Sequence, residues 1–215
     1  MNAASAVFWK EWHGFLHDRR LNGALLLTVL VVAIFIPWQA GSPTLLVGPL
    51  IAVFGGSYLL TWTAFNSERL SKTLTSLLAG PLGMRDIFVG KIAAVTVATY
   101  LLGLFGLALS ATVAWLRFGD IPSAQVLLAA LVTIPVWGIV LSQLLGLTFM
   151  LFNNPFVLRL LMILLLTAIL PSSFAWQPGR FVLPSQAALI GAAVGLIALF
   201  FFLAGKLDKE RVARG

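Results

Sequence analysis

The apolar positions of this chain neither alternate nor keep to one helical face. They run in long blocks, separated by short clusters of charged residues, prolines and glycines. A hydrocarbon core of about 30 Å is crossed by roughly 20 helical residues. Six blocks of that size can be drawn, at residues 21–38, 45–65, 87–116, 123–151, 156–176 and 182–205. The third and fourth are long enough to tilt or to project beyond the bilayer. The fifth is the weakest, because VLRLLMILLLTAIL is short before Pro171 and carries Arg159 near its start. The predicted fold is all-α, a polytopic membrane protein with six transmembrane helices. Residues 1–215 then form a single transmembrane domain, with 206–215 as a tail.

Two stretches interrupt the pattern. The first, VFWKEWHGFLHDRR, precedes span one; Phe8, Trp9, Trp12, Phe15 and Leu16 gather apolar area, and Lys10, Glu11, Asp18, Arg19 and Arg20 supply polar surface. That is the composition of an amphipathic helix lying along the headgroup boundary, expected over residues 1–20.

The second is FNSERLSKTLTSLLAGPLGMRDIFVGK, residues 65 to 91, between spans two and three. Leu70, Leu74, Leu77 and Leu78 share one helical face, while Arg69, Lys72, Thr73 and Ser76 point elsewhere. Asn66 or Ser67 can cap the start, and Glu68 then lies in the first turn, where the helix dipole favours an anion. Glu68 and Lys72 are spaced i, i+4 in the better orientation. Gly80 followed by Pro81 is a stop signal. A short amphipathic helix within 66–82 is expected, followed by a turn into span three near Met84–Asp86.

Composition agrees with the blocks. The 215 residues are 60% hydrophobic and 10% charged, with a mean hydropathy of +1.01; soluble domains run near 45–50% apolar and about 25% charged. The formal charge of +7 does not point to nucleic acid, because the cations sit at the ends of apolar runs and form no stripe interleaved with aromatics. With both termini inside, the inner segments hold Lys10, Arg19, Arg20, Arg69, Lys72, Arg85, Lys91, Arg159, Lys206, Lys209, Arg211 and Arg214. The outer loops hold only Arg117 and Arg180. That asymmetry predicts cytoplasmic termini. The first apolar run does not read as a cleavable signal peptide, since Glu11 and Asp18 precede it and no small-residue cleavage motif follows.

Several chemistries lack their residues. There is no cysteine. His13 and His17 lie i, i+4 without the further ligands a zinc site needs, so no metal is expected. No G-x-x-x-x-G-K-[ST] occurs; LAGKL at 203–207 and VGKI at 89–92 have only the Gly-Lys. The acids Glu11, Asp18, Glu68, Asp86, Asp120, Asp208 and Glu210 all lie at or beyond span ends, which disfavours a proton- or ion-coupled transporter. Both histidines precede span one, so a serine at depth has no base and no enzyme is expected. The polar residues at depth are Tyr58, Thr61, Trp62 and Thr63, then Thr96, Thr99 and Tyr100, then Ser142 and Gln143; interhelical hydrogen bonding is their plainest reading. Gly191 and Gly195 form a GxxxG consistent with close helix packing.

The segment between spans two and three resembles the coupling region of type 2 ABC exporter permeases. The matching residues are Phe65, Glu68-Arg69, Thr73-Leu74, Leu77-Leu78, Pro81-Leu82 and Gly90-Lys91, in the family's order; Lys72-Thr73 stands where that family usually has Gly-Thr. WKEWHGFLHDRR looks like its basic elbow, and ILPSSFAWQPGRFVLP, residues 169 to 184, looks like its last external loop. The resemblance implies a permease of the cell's inner membrane that dimerises, with itself or a paralogue, and couples to a separate ATPase subunit holding ATP and magnesium. Glu68, Arg69, Lys72, Leu74, Leu77 and Leu78 would then seat in a groove of that subunit. Tyr58, Trp62 and Gln143 would lie along a path for a small amphiphilic, lipid-like or peptide cargo. The small size is similar to that of the haem exporter permeases of cytochrome c maturation. A membrane scaffold or assembly factor using the same segment to recruit a cytosolic protein, and a gradient-driven transporter, are the competing readings.

Overall fold

A computed structural model describes residues 2–40, 44–66, 83–151 and 183–206, and every element among them is helical. They are α1 (Ala3–His17), α2 (Arg19–Ala40), α3 (Val47–Thr61, continued by a π turn at Trp62–Asn66), α4 (Met84–Phe118), α5 (Ala124–Leu151) and α6 (Leu183–Gly205). Five stretches are long and apolar enough to cross a membrane: Arg19–Gln39, Val47–Phe65, Met84–Phe118, Ala124–Leu151 and Gln186–Gly205. They coincide to within a few residues with expected spans one, two, three, four and six. The expected span at 156–176 lies outside the described residues. So do the expected helix after Asn66 and the tail beyond Lys206.

Local chemistry explains the ends of these elements. Asn2 accepts the Ser5 N–H at 3.0 Å and caps α1. Asp18 then serves two helices: its N–H donates to the Gly14 carbonyl, and its carboxylate accepts the Leu21 N–H at 3.0 Å. Asn22 ties the junction by donating to the Phe15 carbonyl at 2.6 Å. At the far end of α4, Gly119 adopts φ 69° and donates to the Trp115 carbonyl, the left-handed stop that glycine permits. Helix α5 widens into a π turn at Ala129–Thr133 just before Pro135. A proline ring clashes with the carbonyl four residues back, and the wider turn accommodates it.

Span two is the centre of the bundle. Of its apolar stretch 61% is buried, against 22% for α2 and 11% for α6. Glycines on its neighbours allow the approach. Val53 nests between α4 and α5: a β-carbon at Gly138 would stand 2.4 Å from Val53 Cγ1, and one at Gly103 would stand 2.6 Å from Val53 Cγ2. Such packing suits a membrane interior, where helices gain little from hydrophobicity and must approach closely. The predicted GxxxG does not contribute among the described residues. Gly191 and Gly195 are exposed, and a β-carbon at either would meet nothing within 4 Å.

Replacing Gly138 with alanine forces overpacking against Val53 and is expected to cost about 1–3 kcal/mol. Adding Val53→Ala should recover most of that loss. Thermal unfolding of the detergent-solubilised protein checks it; a Gly138→Ala midpoint equal to wild type contradicts the close approach.

Candidate functional site

Helix α1 buries one stripe, Val7, Glu11 and Phe15, at i, i+4 and i+8. From sequence Glu11 is expected on the polar surface, and the structure corrects this. Glu11 lies between two apolar neighbours on the buried face, while Trp9 and Leu16 stay exposed. The stripe packs on the first turns of α4. Gly90 makes room, because a β-carbon there would stand 2.6 Å from the Ala4 carbonyl and 2.7 Å from Val7 Cβ.

The next residue supplies the counter-charge. Lys91 is fully buried, and its Nζ donates to Glu11 Oε1 at 2.7 Å. The same ammonium donates to the Ala64 carbonyl and sits 5.4 Å from the centroid of the Phe65 ring. Ala64 and Phe65 belong to the π turn that ends span two. One cation therefore joins α1, the end of α3 and the start of α4. Charge-assisted bonds in a dry site are strong, and the ring face adds a cation–π contact.

Aromatic rings surround this junction. Phe65 and Phe88 lie 6.0 Å apart, and Phe88 meets Phe201 of α6 edge-on at 6.2 Å. Trp62 meets Phe149 of α5 edge-on at 5.4 Å. A β-carbon at Gly146 would stand 3.1 Å from Phe65 Cζ, so α5 closes the other side. The two ends of the segment expected to couple, Phe65 and Met84–Lys91, are thereby fixed to each other.

The coupling residues Glu68, Arg69, Lys72, Leu74, Leu77 and Leu78 lie outside the described residues. Of the expected cargo path, Tyr58 and Trp62 lie one turn apart with their rings tilted at 49° and centroids 6.3 Å apart. Gln143 is fully buried on α5, and neither of its amide atoms has a hydrogen-bond partner among the described residues. The Thr61 hydroxyl is unpartnered in the same way. Ser57 bonds to Gly138 and Phe65 packs on Gly146, so Thr61 falls level with Ser142 and Gln143. A buried amide left unpaired costs about 1–3 kcal/mol.

Two serines bridge helices. Ser57 donates to the Gly138 carbonyl at 3.3 Å and Ser110 to the Ala33 carbonyl at 3.2 Å. Thr63, Thr99 and Ser142 donate to carbonyls of their own helices. The imidazoles of His13 and His17 likewise engage the Trp9 and His13 carbonyls through Nδ1. Among the described residues no three His, Asp or Glu side chains gather around one point.

A second feature opens on the opposite side of span two. A groove of about 420 Å³ lies between α1, α2, α3 and α4, lined chiefly by apolar residues including Trp12, Phe15, Leu25, Leu60 and Phe105. Leu60 stands two residues from both Tyr58 and Trp62, about 200° around the helix from each.

Comparison with protein-family models and with curated proteins gives no match to this chain.

The Glu11–Lys91 pair predicts a definite pattern of stabilities. Deleting one partner of a buried pair strands the other charge and costs about 3–5 kcal/mol, whereas replacing both with apolar residues is often near neutral. Glu11→Leu and Lys91→Met should each lower the thermal midpoint sharply. The double variant should recover most of it. Additive losses would mean that the two charges do not interact.

Proposed function

We propose that this chain is the membrane-spanning permease subunit of an ABC exporter and works with a separate ATPase subunit. The single observation that carries the reading is the ordered series from Phe65 to Lys91, with the flanks of that segment locked together through Lys91, Ala64, Phe65 and Phe88. Force applied to residues 67–82 reaches spans two and three at once, and reaches α1 through Glu11. A loosely tethered loop would dissipate that force. Glu68, Arg69, Lys72, Leu74, Leu77 and Leu78 are the docking residues in this reading.

The chain contributes no nucleotide-binding loop, so ATP and magnesium act in the partner. Both termini lie in the cytoplasm, the membrane is the inner one, and a second permease subunit, identical or paralogous, completes the pathway. The cargo is a small amphiphilic, lipid-like or peptide molecule. The apolar groove of about 420 Å³ suits an acyl or aromatic moiety, and Tyr58, Trp62 and the amide of Gln143, which has no partner among the described residues, offer polar contacts on the other face of span two.

The test is co-expression with candidate ATPase subunits and affinity capture through the permease. The wild type should retain the ATPase, and a Glu68→Arg, Leu74→Glu double variant should lose it while still inserting in the membrane. Undiminished capture by that variant removes the docking assignment.

A further inference from the structure

At the end of the bundle where α6 finishes and α4 begins, a crevice of about 400 Å³ is lined by Arg85, Ala198, Phe201, Phe202, Gly205 and Lys206. Its lining is divided in chemistry. Two cations flank it, and aromatic and small apolar residues form the rest. Phe201 closes its inner side by meeting Phe88 edge-on.

Among the described residues no carboxylate pairs with either cation. Arg85 and Lys206 are exposed, and neither makes an ion pair among the described residues. Asp86, next to Arg85 in sequence, turns its carboxylate back over Gly83, at the start of its own helix. Glu11 is committed to Lys91. Lys206 holds its ammonium 4.5 Å from the Phe202 ring centroid, which fixes it at the rim.

Height and exposure identify the occupant. Lys206 directly follows the apolar stretch Gln186–Gly205, whose 20 residues span about 30 Å, the thickness of the hydrocarbon core. The cations therefore stand at headgroup level. Among the described spans α6 is the least covered, 11% buried over its apolar stretch, and Phe202 is 58% exposed, so the crevice opens sideways as well as toward water. A soluble anion would gain nothing from Ala198 or Phe202. A zwitterionic headgroup would bring a third positive charge to the site.

We propose that this crevice is a binding site for an anionic phospholipid. The guanidinium of Arg85 presents a fork matched to phosphate oxygens, Lys206 supplies the second charge, and an acyl chain runs along Ala198 and Phe202. Basic pockets of this kind, between helices at the cytoplasmic side, recognise anionic headgroups. The site involves the permease chain alone and does not depend on an ATPase partner.

The full-length chain, purified in detergent, is titrated with phosphatidylglycerol, with phosphatidylcholine and with inorganic phosphate, and bound species are counted by native mass spectrometry. Phosphatidylglycerol should bind; phosphatidylcholine and phosphate should not. Both cations are exposed, so the Arg85→Gln, Lys206→Gln variant should fold, with an unchanged thermal midpoint. It should bind phosphatidylglycerol roughly 30-fold more weakly, about fivefold per cation. Arg117→Gln, at the other end of α4, should bind as the wild type does. Equal phosphatidylglycerol binding by the double variant overturns the proposal. Equal binding of phosphatidylcholine, which would make the crevice merely apolar, also overturns it, as does saturation by phosphate alone, which would make it a soluble-anion site.

Discussion

An ammonium group taken out of water must find charge and hydrogen-bond acceptors nearby, or it will not stay ionised. Lys91, on α4, meets that demand through two neighbouring elements: the Glu11 carboxylate from α1 and the Ala64 carbonyl from the end of span two. Removing the lysine or the carboxylate leaves the other group with an unmet charge. The geometry of this end of the bundle follows from that requirement. Gly90 lets α1 come close enough for the bond, and the ring of Phe65 covers the charge.

The rest of the bundle is organised around span two by a different rule. Where helices share an apolar solvent with lipid, close approach decides packing, and Val53 fits between Gly103 and Gly138 on two neighbouring helices. Helices α2 and α6 are the least buried of the described spans. Span two thus combines a tightly packed middle with an end held by a buried cation. Thr61 of span two and Gln143 of α5, without hydrogen-bond partners among the described residues, lie between the two. The arrangement is consistent with the proposed role of span two between a docking segment and a pathway.

The spans are legible in the sequence because a long uninterrupted apolar run has little use outside a bilayer; five of the six expected blocks fall on helices within a few residues. Contacts between helices are not legible in the same way. Glu11 reads as surface because its immediate neighbours Lys10 and Trp12 are an exposed cation and an interfacial aromatic, yet its i±4 neighbours are Val7 and Phe15. That spacing, together with a lone lysine just inside span three, is the available signal for the pair. Ser57 and Ser110 draw no attention among apolar residues, although each makes an interhelical bond, whereas Thr99 and Ser142 bond to carbonyls of their own helices. The GxxxG of α6 meets no neighbour among the described residues, since a small-residue motif states that approach is possible and not where the neighbour lies.

What unites these features is that α1, the end of span two and the start of span three form one mechanical unit held by Lys91. The chain has no cysteine, so spin labels can be placed cleanly at Lys10 on α1 and at Tyr100 on α4, the one exposed with a 3.7 Å contact to Glu11 and the other partly exposed. Pulsed electron–electron resonance on the protein in lipid nanodiscs should give one narrow distance distribution, and Lys91→Met should broaden it as α1 separates. A distribution that stays narrow and unshifted in Lys91→Met would show that the junction holds without its buried cation.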